Sequence, residues 1–146
     1  MQIQGLQKLT LLDYPGRTAC TVFLSGCNFR CPFCHNAPLL TAADEDGMDE
    51  DELLAFLKKR QGLLDGVAVT GGEPLLRPEL PALLEKIKAL GYAIKLDTNG
   101  AFPEQLEAVV RAGLADYVAM DIKNSPARYA EAAGVPELAL TPIFRS

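Results

Sequence analysis

The residues most able to do chemistry are cysteines. The chain has Cys20, Cys27, Cys31 and Cys34, and the last three fall within the segment Cys27-Asn28-Phe29-Arg30-Cys31-Pro32-Phe33-Cys34. Thiolates gathered at gaps of three and two residues are soft metal donors, and such spacing reads as a metal-binding loop. Cys20 differs. It lies in the apolar run RTACTVFL and reads as a small buried hydrophobe. A disulfide framework is a poor reading, because a chain of this size needs no staple and nothing points to an oxidising compartment. Structural zinc asks for four ligands, and a fourth here would have to come from His35 or from Cys20. A ferredoxin run carries C-x2-C-x2-C-x3-C, whereas here the first gap is three and no fourth cysteine follows. Three thiolates on a four-iron cube leave one iron open to a substrate or cofactor. The spacing therefore reads as an open, catalytic iron–sulfur cluster. An electron-transfer or zinc-binding module is the alternative.

Three further polar segments each follow an apolar run: Gly71-Gly72-Glu73-Pro74, Asp97-Thr98-Asn99-Gly100 and Asp121-Ile122-Lys123. Adjacent glycines make a turn, and they also let backbone approach a ligand closely. Glu73 could accept hydrogen bonds from an amino group. Asn99-Gly100 is a common turn pair, and Asp97 reads either as a strand-end residue or as a ligand contact. Asp121 and Lys123 alternate, so on a strand both would face one side and could pair. His35 is the only histidine and abuts the cysteines, which makes it a candidate for catalysis or cofactor orientation.

The elements that must position these groups follow from periodicity. Residues 17–24, 66–70, 92–96 and 117–122 read as strands, being short, apolar and rich in β-branched residues. Asp49 with Glu52 forms a capping-box pattern at the end of an acidic stretch running from Asp44. Leu53, Leu54, Phe56 and Leu57 supply the apolar face of the helix that follows, which ends near Gly62. A second helix spans 79–90, with Pro78 in its first turn, Gly91 beyond its end and a stripe of Leu80, Leu83, Leu84, Ile87 and Leu90. A third spans 103–112, and a short fourth lies near 126–133. The tail from Val135 is less regular. Strand and helix alternate without a long linker, which argues an α/β fold of about four βα units on a parallel sheet. In such a sheet, ligands bind outside the carboxyl ends of the strands. The cysteine loop and the three polar segments would share that edge, which favours an enzyme over a passive electron carrier.

Composition agrees. The chain has 146 residues, 49% hydrophobic, with a formal net charge of -5. That is ordinary for one soluble domain, and the acidic balance argues against a general nucleic-acid partner. No apolar run reaches the roughly 18 residues of a membrane span. The first twelve residues lack the basic and apolar regions of a signal peptide, so a cytoplasmic setting is expected. A closed (β/α)8 barrel takes about 250 residues, more than this chain has.

The cysteine spacing, with Phe33 before the last cysteine and Gly71-Gly72-Glu73-Pro74 downstream, resembles the radical S-adenosylmethionine (SAM) superfamily. More narrowly, Gly26 through Asn36 is similar to the loop of glycyl-radical-enzyme activases. Gly5-Leu6-Gln7-Lys8 with Asp13-Tyr14-Pro15-Gly16 is similar to anaerobic ribonucleoside-triphosphate reductase activating proteins. The resemblance implies a partial (β/α) barrel, with residues 1–146 forming a single radical SAM core domain incomplete at its C-terminal end. It implies that Cys27, Cys31 and Cys34 ligate a [4Fe-4S] cluster, that Phe33 meets the adenine of SAM, and that Gly71, Gly72 and Glu73 hold its methionine amino group. Asn99 joins the cofactor-binding set. Asp97, Thr98 and Asp121 would surround a monovalent cation, and Lys123 would contact the SAM carboxylate. The implied activity is reductive cleavage of SAM to form a glycyl radical on a partner, expected to be anaerobic ribonucleotide reductase, with flavodoxin or ferredoxin as electron donor. A carboxy-deazaguanine-synthase-like radical SAM enzyme is the alternative within the superfamily.

Overall fold

A computed structural model describes residues 1–40 and 47–146. In chain order the strands are β1 (Gln2–Ile3), β2 (Gly5–Thr10), β3 (Ala19–Leu24), β4 (Met48–Asp49), β5 (Gly66–Gly71), β6 (Ala93–Thr98) and β7 (Tyr117–Met120). The helices are α1 (Glu50–Arg60), α2 (Leu80–Ala89), α3 (Pro103–Arg111), α4 (Tyr129–Ala133) and α5 (Thr141–Arg145). The main sheet has the order β2-β3-β5-β6-β7. Its last four strands are parallel and are linked through α1, α2 and α3. The expected α/β architecture, a partial barrel with a mostly parallel sheet, is what forms.

The sheet is not purely parallel. β2 pairs antiparallel with β3, and β1 with β4. Neither N-terminal strand was expected from the pattern, and the reason is physical. β2 is an edge strand in which Gln7, Lys8 and Leu9 are exposed, so it lacks the alternation that a half-buried strand shows.

The capping box at α1 is complete. The Glu52 amide donates to Asp49 Oδ1 at 2.8 Å, and the Asp49 amide donates to Glu52 Oε2 at 3.1 Å. The start of the acidic stretch, Asp44–Asp46, lies outside the described residues. Pro78 falls in the turn before α2 rather than within it. Pro81 occupies the first turn instead, where its missing N–H costs nothing. β6 runs two residues past the expected end. β7 stops two residues short of Ile122, because Met120 is in register with Thr98, the last residue of β6. Asp121 and Lys123 therefore sit on the loop after β7, not on the strand, although the Asp121 amide still donates to Thr98 O at 2.9 Å.

One face of the sheet is covered by helices. Val22, Val67, Val69, Ile94 and Leu96 are completely buried there with Leu53, Leu57, Leu83, Leu84 and Ile87. Each such side chain contributes about 1.5–3 kcal/mol of burial. A second, smaller core joins the cysteine loop to the short helix expected near 126–133 and to the tail that read as irregular. Phe29 of the cysteine loop is 1% exposed and packs with Tyr129, Ala133 and Ile143.

Candidate active site

The loops after β3, β5, β6 and β7 meet at the carboxyl edge of the sheet around a cavity of about 210 Å³. Cys27, Cys31, Cys34, Phe33, His35, Gly71, Gly72, Asp97, Thr98, Asn99, Asp121 and Lys123 all line it. Of the expected site residues, only Glu73 is absent from the wall.

The cysteine loop is held at both ends and in its middle. The Gly26 amide donates to Leu39 O at 2.9 Å, and the Cys34 amide to Cys31 O at 3.1 Å. Asn36 Nδ2 donates to Gly71 O at 3.1 Å, which ties the loop to β5. The Arg30 amide donates to Ala133 O at 2.8 Å. A Cβ at Gly134 would fall 2.1 Å from the Arg30 carbonyl oxygen, so only glycine permits this close seating of the loop on the end of α4. Arg30 Nη1 donates to the carbonyls of Cys27 and Phe29 at 2.5 and 2.7 Å and braces the turn between the first two cysteines.

The paired glycines have a reason of their own. A Cβ at Gly71 would lie 2.2 Å from Leu24 O, and one at Gly72 would lie 1.9 Å from Gly26 O. The start of the cysteine loop passes that close. The Gly72 and Glu73 amides donate to Leu24 O and Gly26 O at 2.9 and 2.8 Å. These N–H groups bind the neighbouring loop, so the paired glycines let the start of the cysteine loop seat closely on the end of β5.

Glu73 stands behind the wall. It is 1% exposed and accepts from the Leu75 amide at 3.0 Å, Thr98 Oγ1 at 2.9 Å and the Asn99 amide at 2.7 Å. Its carboxylate thereby clamps the β6 turn to the β5 turn, and its side chain is directed at protein donors rather than at the cavity. Burial pushes its carboxyl above the usual range, while those three hydrogen bonds and Lys123 pull it back in part. Asn99, fixed in this way, donates through Nδ2 to Asn28 Oδ1 at 2.8 Å and makes a long contact of 3.9 Å with Cys27 Sγ. The Phe29 amide also donates to Cys27 Sγ, at 3.3 Å.

The thiols divide as the spacing suggested. Cys20 is fully buried in the helix-side core, and burial pushes its thiol up to about 12. Cys27, Cys31 and Cys34 are half-buried and free. Burial raises Cys27 and Cys31 above the ordinary thiol range. The Phe29 amide opposes this at Cys27, and the Lys123 charge opposes it at Cys31. Among the described residues no three His, Cys, Asp or Glu side chains converge as the ligands of one ion would. All three thiols line the cavity, and Cys31 and Cys34 both act electrostatically on Cys27. Lys123 pairs with Asp121. Burial would lower its ammonium, but the bond to Asp121, that carboxylate's charge and the nearby cysteines raise it overall. Phe33 is 55% exposed at the rim, and His35 is exposed beside it.

Sequence reasoning missed Asn28, Asn36 and Lys95. Lys95 did carry a signal, a charge inside the otherwise apolar run Ala93–Leu96. Asn28 and Asn36 had none apart from their place in the cysteine segment.

Residues 21–138 match the family described as the Radical SAM superfamily. The chain is 34% identical over 133 residues to a Methanocaldococcus jannaschii protein assigned as a glycyl-radical enzyme activating enzyme, covering 88% of this chain and 53% of that one. It is 34% identical over 129 residues to the pyruvate formate-lyase-activating enzyme of Clostridium pasteurianum, covering 84% and 52%. It is also 36% identical over 91 residues to 7-carboxy-7-deazaguanine synthase of Hyperthermus butylicus, covering 62% and 38%. The chain thus spans about half the length, or less, of these relatives. Among solved structures, QueE from Escherichia coli superposes with a TM-score of 0.57 at 22% identity, covering 68% of this chain and 53% of that one. SuiB of Streptococcus suis superposes with a TM-score of 0.60 at 19% identity, covering 79% and 26%. At these identities the superpositions speak for the fold alone.

Proposed function

This chain belongs to the radical SAM superfamily, and from that premise we propose that it serves as the activating enzyme of a glycyl-radical enzyme, using SAM at a [4Fe-4S] cluster. The observation that carries the reading is the 34% identity, over most of this chain, to two proteins named for that activity. The donor set fits the cluster. Three soft thiols share one wall, no carboxylate stands between them in sequence, and the fourth cysteine is shut in the core on the other side of the sheet. Three thiols leave one iron of a four-iron cube open, whereas structural zinc asks for a fourth ligand.

When bound, the cluster and SAM supply one-electron cleavage of the sulfonium and a carbon radical able to take a hydrogen atom from a glycine Cα. The chain's own residues bind, orient and shield. Cys27, Cys31 and Cys34 hold the iron, and the Arg30 brace and the Phe29 peg set where their sulfurs point. Gly71 and Gly72 form the wall for the methionine end, and Phe33 at the rim covers the adenine. Thr98 and Asn99 are fixed by Glu73, which acts from behind and not by touching the ligand. Lys123, protonated throughout the neutral range, offers a positive charge to a ligand carboxylate. His35 at the rim orients the cofactor or handles a proton there. The partner we propose is anaerobic ribonucleotide reductase, with flavodoxin or ferredoxin as electron donor. We place the protein in the cytoplasm, where free thiols persist.

The test is anaerobic loading with iron and sulfide, then reduction in the presence of SAM. Release of 5′-deoxyadenosine is expected, and its absence from a cluster-loaded chain overturns the radical SAM activity. Adding anaerobic ribonucleotide reductase should then produce a glycyl radical signal by electron paramagnetic resonance. Cleavage without that signal moves the reading to the second candidate, a 7-carboxy-7-deazaguanine synthase-like enzyme, which the 36% identity to such a protein supports.

A further inference from the structure

We propose that the ammonium of Lys95, which stands behind the cavity wall on Asp97, occupies the role that the family resemblance gives to a monovalent metal ion beside Asp97. Lys95 lies on β6, an interior strand, in register with Ala68 of β5 on one side and Tyr117 of β7 on the other. Its side chain is only 10% exposed, and its Nζ bonds to Asp97 Oδ1. Burying a lysine in a parallel sheet is unfavourable unless a carboxylate meets it. The chain provides that carboxylate two residues along the same strand, on the same face. Next to Lys95 in the same row stand Ala68 and then Thr21, two small residues that leave the face open for the lysine stem.

Each side chain that would hold a metal ion already has an oxygen engaged. Asp97 carries Lys95, and Asp121 carries Lys123. Thr98 Oγ1 donates to Glu73 Oε1 at 2.9 Å and accepts from the Gly100 amide at 3.1 Å. Asp97 and Asp121 each face an ammonium, so both carboxylates have a positive partner without a metal ion. Asp97 still reaches the cavity, its side chain being 30% exposed. A covalently tethered cation thus supplies the charge while the carboxylate keeps its place at the ligand. Only the ligand-binding part of the test rests on the function proposed above. The ion pair is a property of the unloaded chain.

The experiment swaps potassium or sodium chloride for N-methylglucamine chloride at constant ionic strength. It reads the unfolding midpoint of the unloaded chain and SAM affinity of the cluster-loaded chain by titration. For the native chain both should be unchanged between salts. Lys95→Met should gain alkali dependence. Its midpoint should rise with potassium or sodium, and its SAM affinity should be about tenfold weaker without them, within the usual range for coupled ligands. Lys95→Arg keeps the charge and should stay indifferent to the salt. If Lys95→Met does not fold in N-methylglucamine, recovery of its cooperative unfolding by potassium supports the inference, and failure to recover overturns it. A native chain whose midpoint or SAM affinity saturates with potassium also overturns it, as does a folded Lys95→Met that ignores the alkali ion. Failure of the loaded native chain to bind SAM in any salt counts against the proposed function, while the midpoints of the unloaded chain still decide the ion pair.

Discussion

The two faces of the main sheet use the same strands for opposite ends. On the helix-covered face Cys20, Val22, Val67, Val69, Ile94 and Leu96 are wholly buried among leucines. On the other face Thr21, Ala68, Thr70, Lys95 and Asp97 are small or polar and lead up to the cavity edge, with Phe23 and Tyr117 as the large neighbours of Thr70 and Lys95. Cys20 and Cys27 make the contrast at the level of one residue type. The first is a sealed hydrophobe whose thiol is hard to ionise. The second is half-exposed, and an amide N–H points at its sulfur. The period-two geometry of a strand separates stability from chemistry without needing separate regions of chain.

The largest loss of stability is expected on the helix face. Leu84→Ala should lower the unfolding free energy by about 2–5 kcal/mol in denaturant titrations. Within the folded state it should leave the alkylation rates of Cys27, Cys31 and Cys34 unchanged. A faster rate in native buffer would show that the faces are coupled.

Next comes the alkaline behaviour of Cys20. Its thiol is raised from 9 to about 12 on folding, so the native state holds that proton more tightly than the unfolded chain. The contribution is fully present below pH 9 and is lost as pH rises toward 12, at up to about 1.4 kcal/mol per pH unit. Cys20→Ala should remove this slope from pH-dependent unfolding curves. In the native chain at pH 8, iodoacetamide should label the other three cysteines and reach Cys20 only after denaturation.

A smaller effect tests the clamp between the two turns. Glu73→Gln turns an acceptor into a donor opposite amide donors and should cost about 1–3 kcal/mol. Because Glu73 is raised above 4.5 on folding, its favourable share is present below pH 4.5 and is lost as pH rises through the folded value. The stability gap between the native chain and Glu73→Gln should therefore narrow over that interval and stay constant above it. A gap that widens with pH would show a carboxyl lowered by its hydrogen bonds instead.

The smallest effect is at the surface. Glu107 and Arg111 pair one turn apart on α3 with side chains 56% and 78% exposed. Arg111→Ala should change stability by about 0.3–0.5 kcal/mol, and less at high salt. A loss above 1 kcal/mol would mean that the α3 surface belongs to something larger.

Much of the fold was readable because its signals are local. The stripe Leu80, Leu83, Leu84, Ile87 places α2 on the sheet. Asp49 and Glu52 cap α1 as the spacing implied, and Gly91, with φ of +88°, closes α2. The exposed edge strand β2 and the helix α5 in the tail were not readable, whereas α4 falls within the helix expected near 126–133. β2 has no buried face to impose a period. The short helices α4 and α5 take part in a core only because Phe29, a hundred residues earlier, packs between them. Of the site, the cysteines and the three polar segments could be read from residue type and spacing. Glu73 looked like a ligand contact because it is charged at the ligand edge, yet three protein donors claim it. Asp121 and Lys123 were assigned to a strand that ends before them.

Residue order alone therefore determined the α/β alternation, the clustering of three thiols, the separation of Cys20 from them and the glycines at Gly71 and Gly72, because each depends on near neighbours and side-chain period. Tertiary structure alone decided that the Leu24–Gly26 backbone passes within van der Waals contact of those glycines, that Glu73 faces inward, and that Lys95 meets Asp97 at the cavity. Those outcomes depend on which strands lie side by side and where each one stops, and on the cost of burying a charge, which forces it toward whatever partner the packing brings within reach.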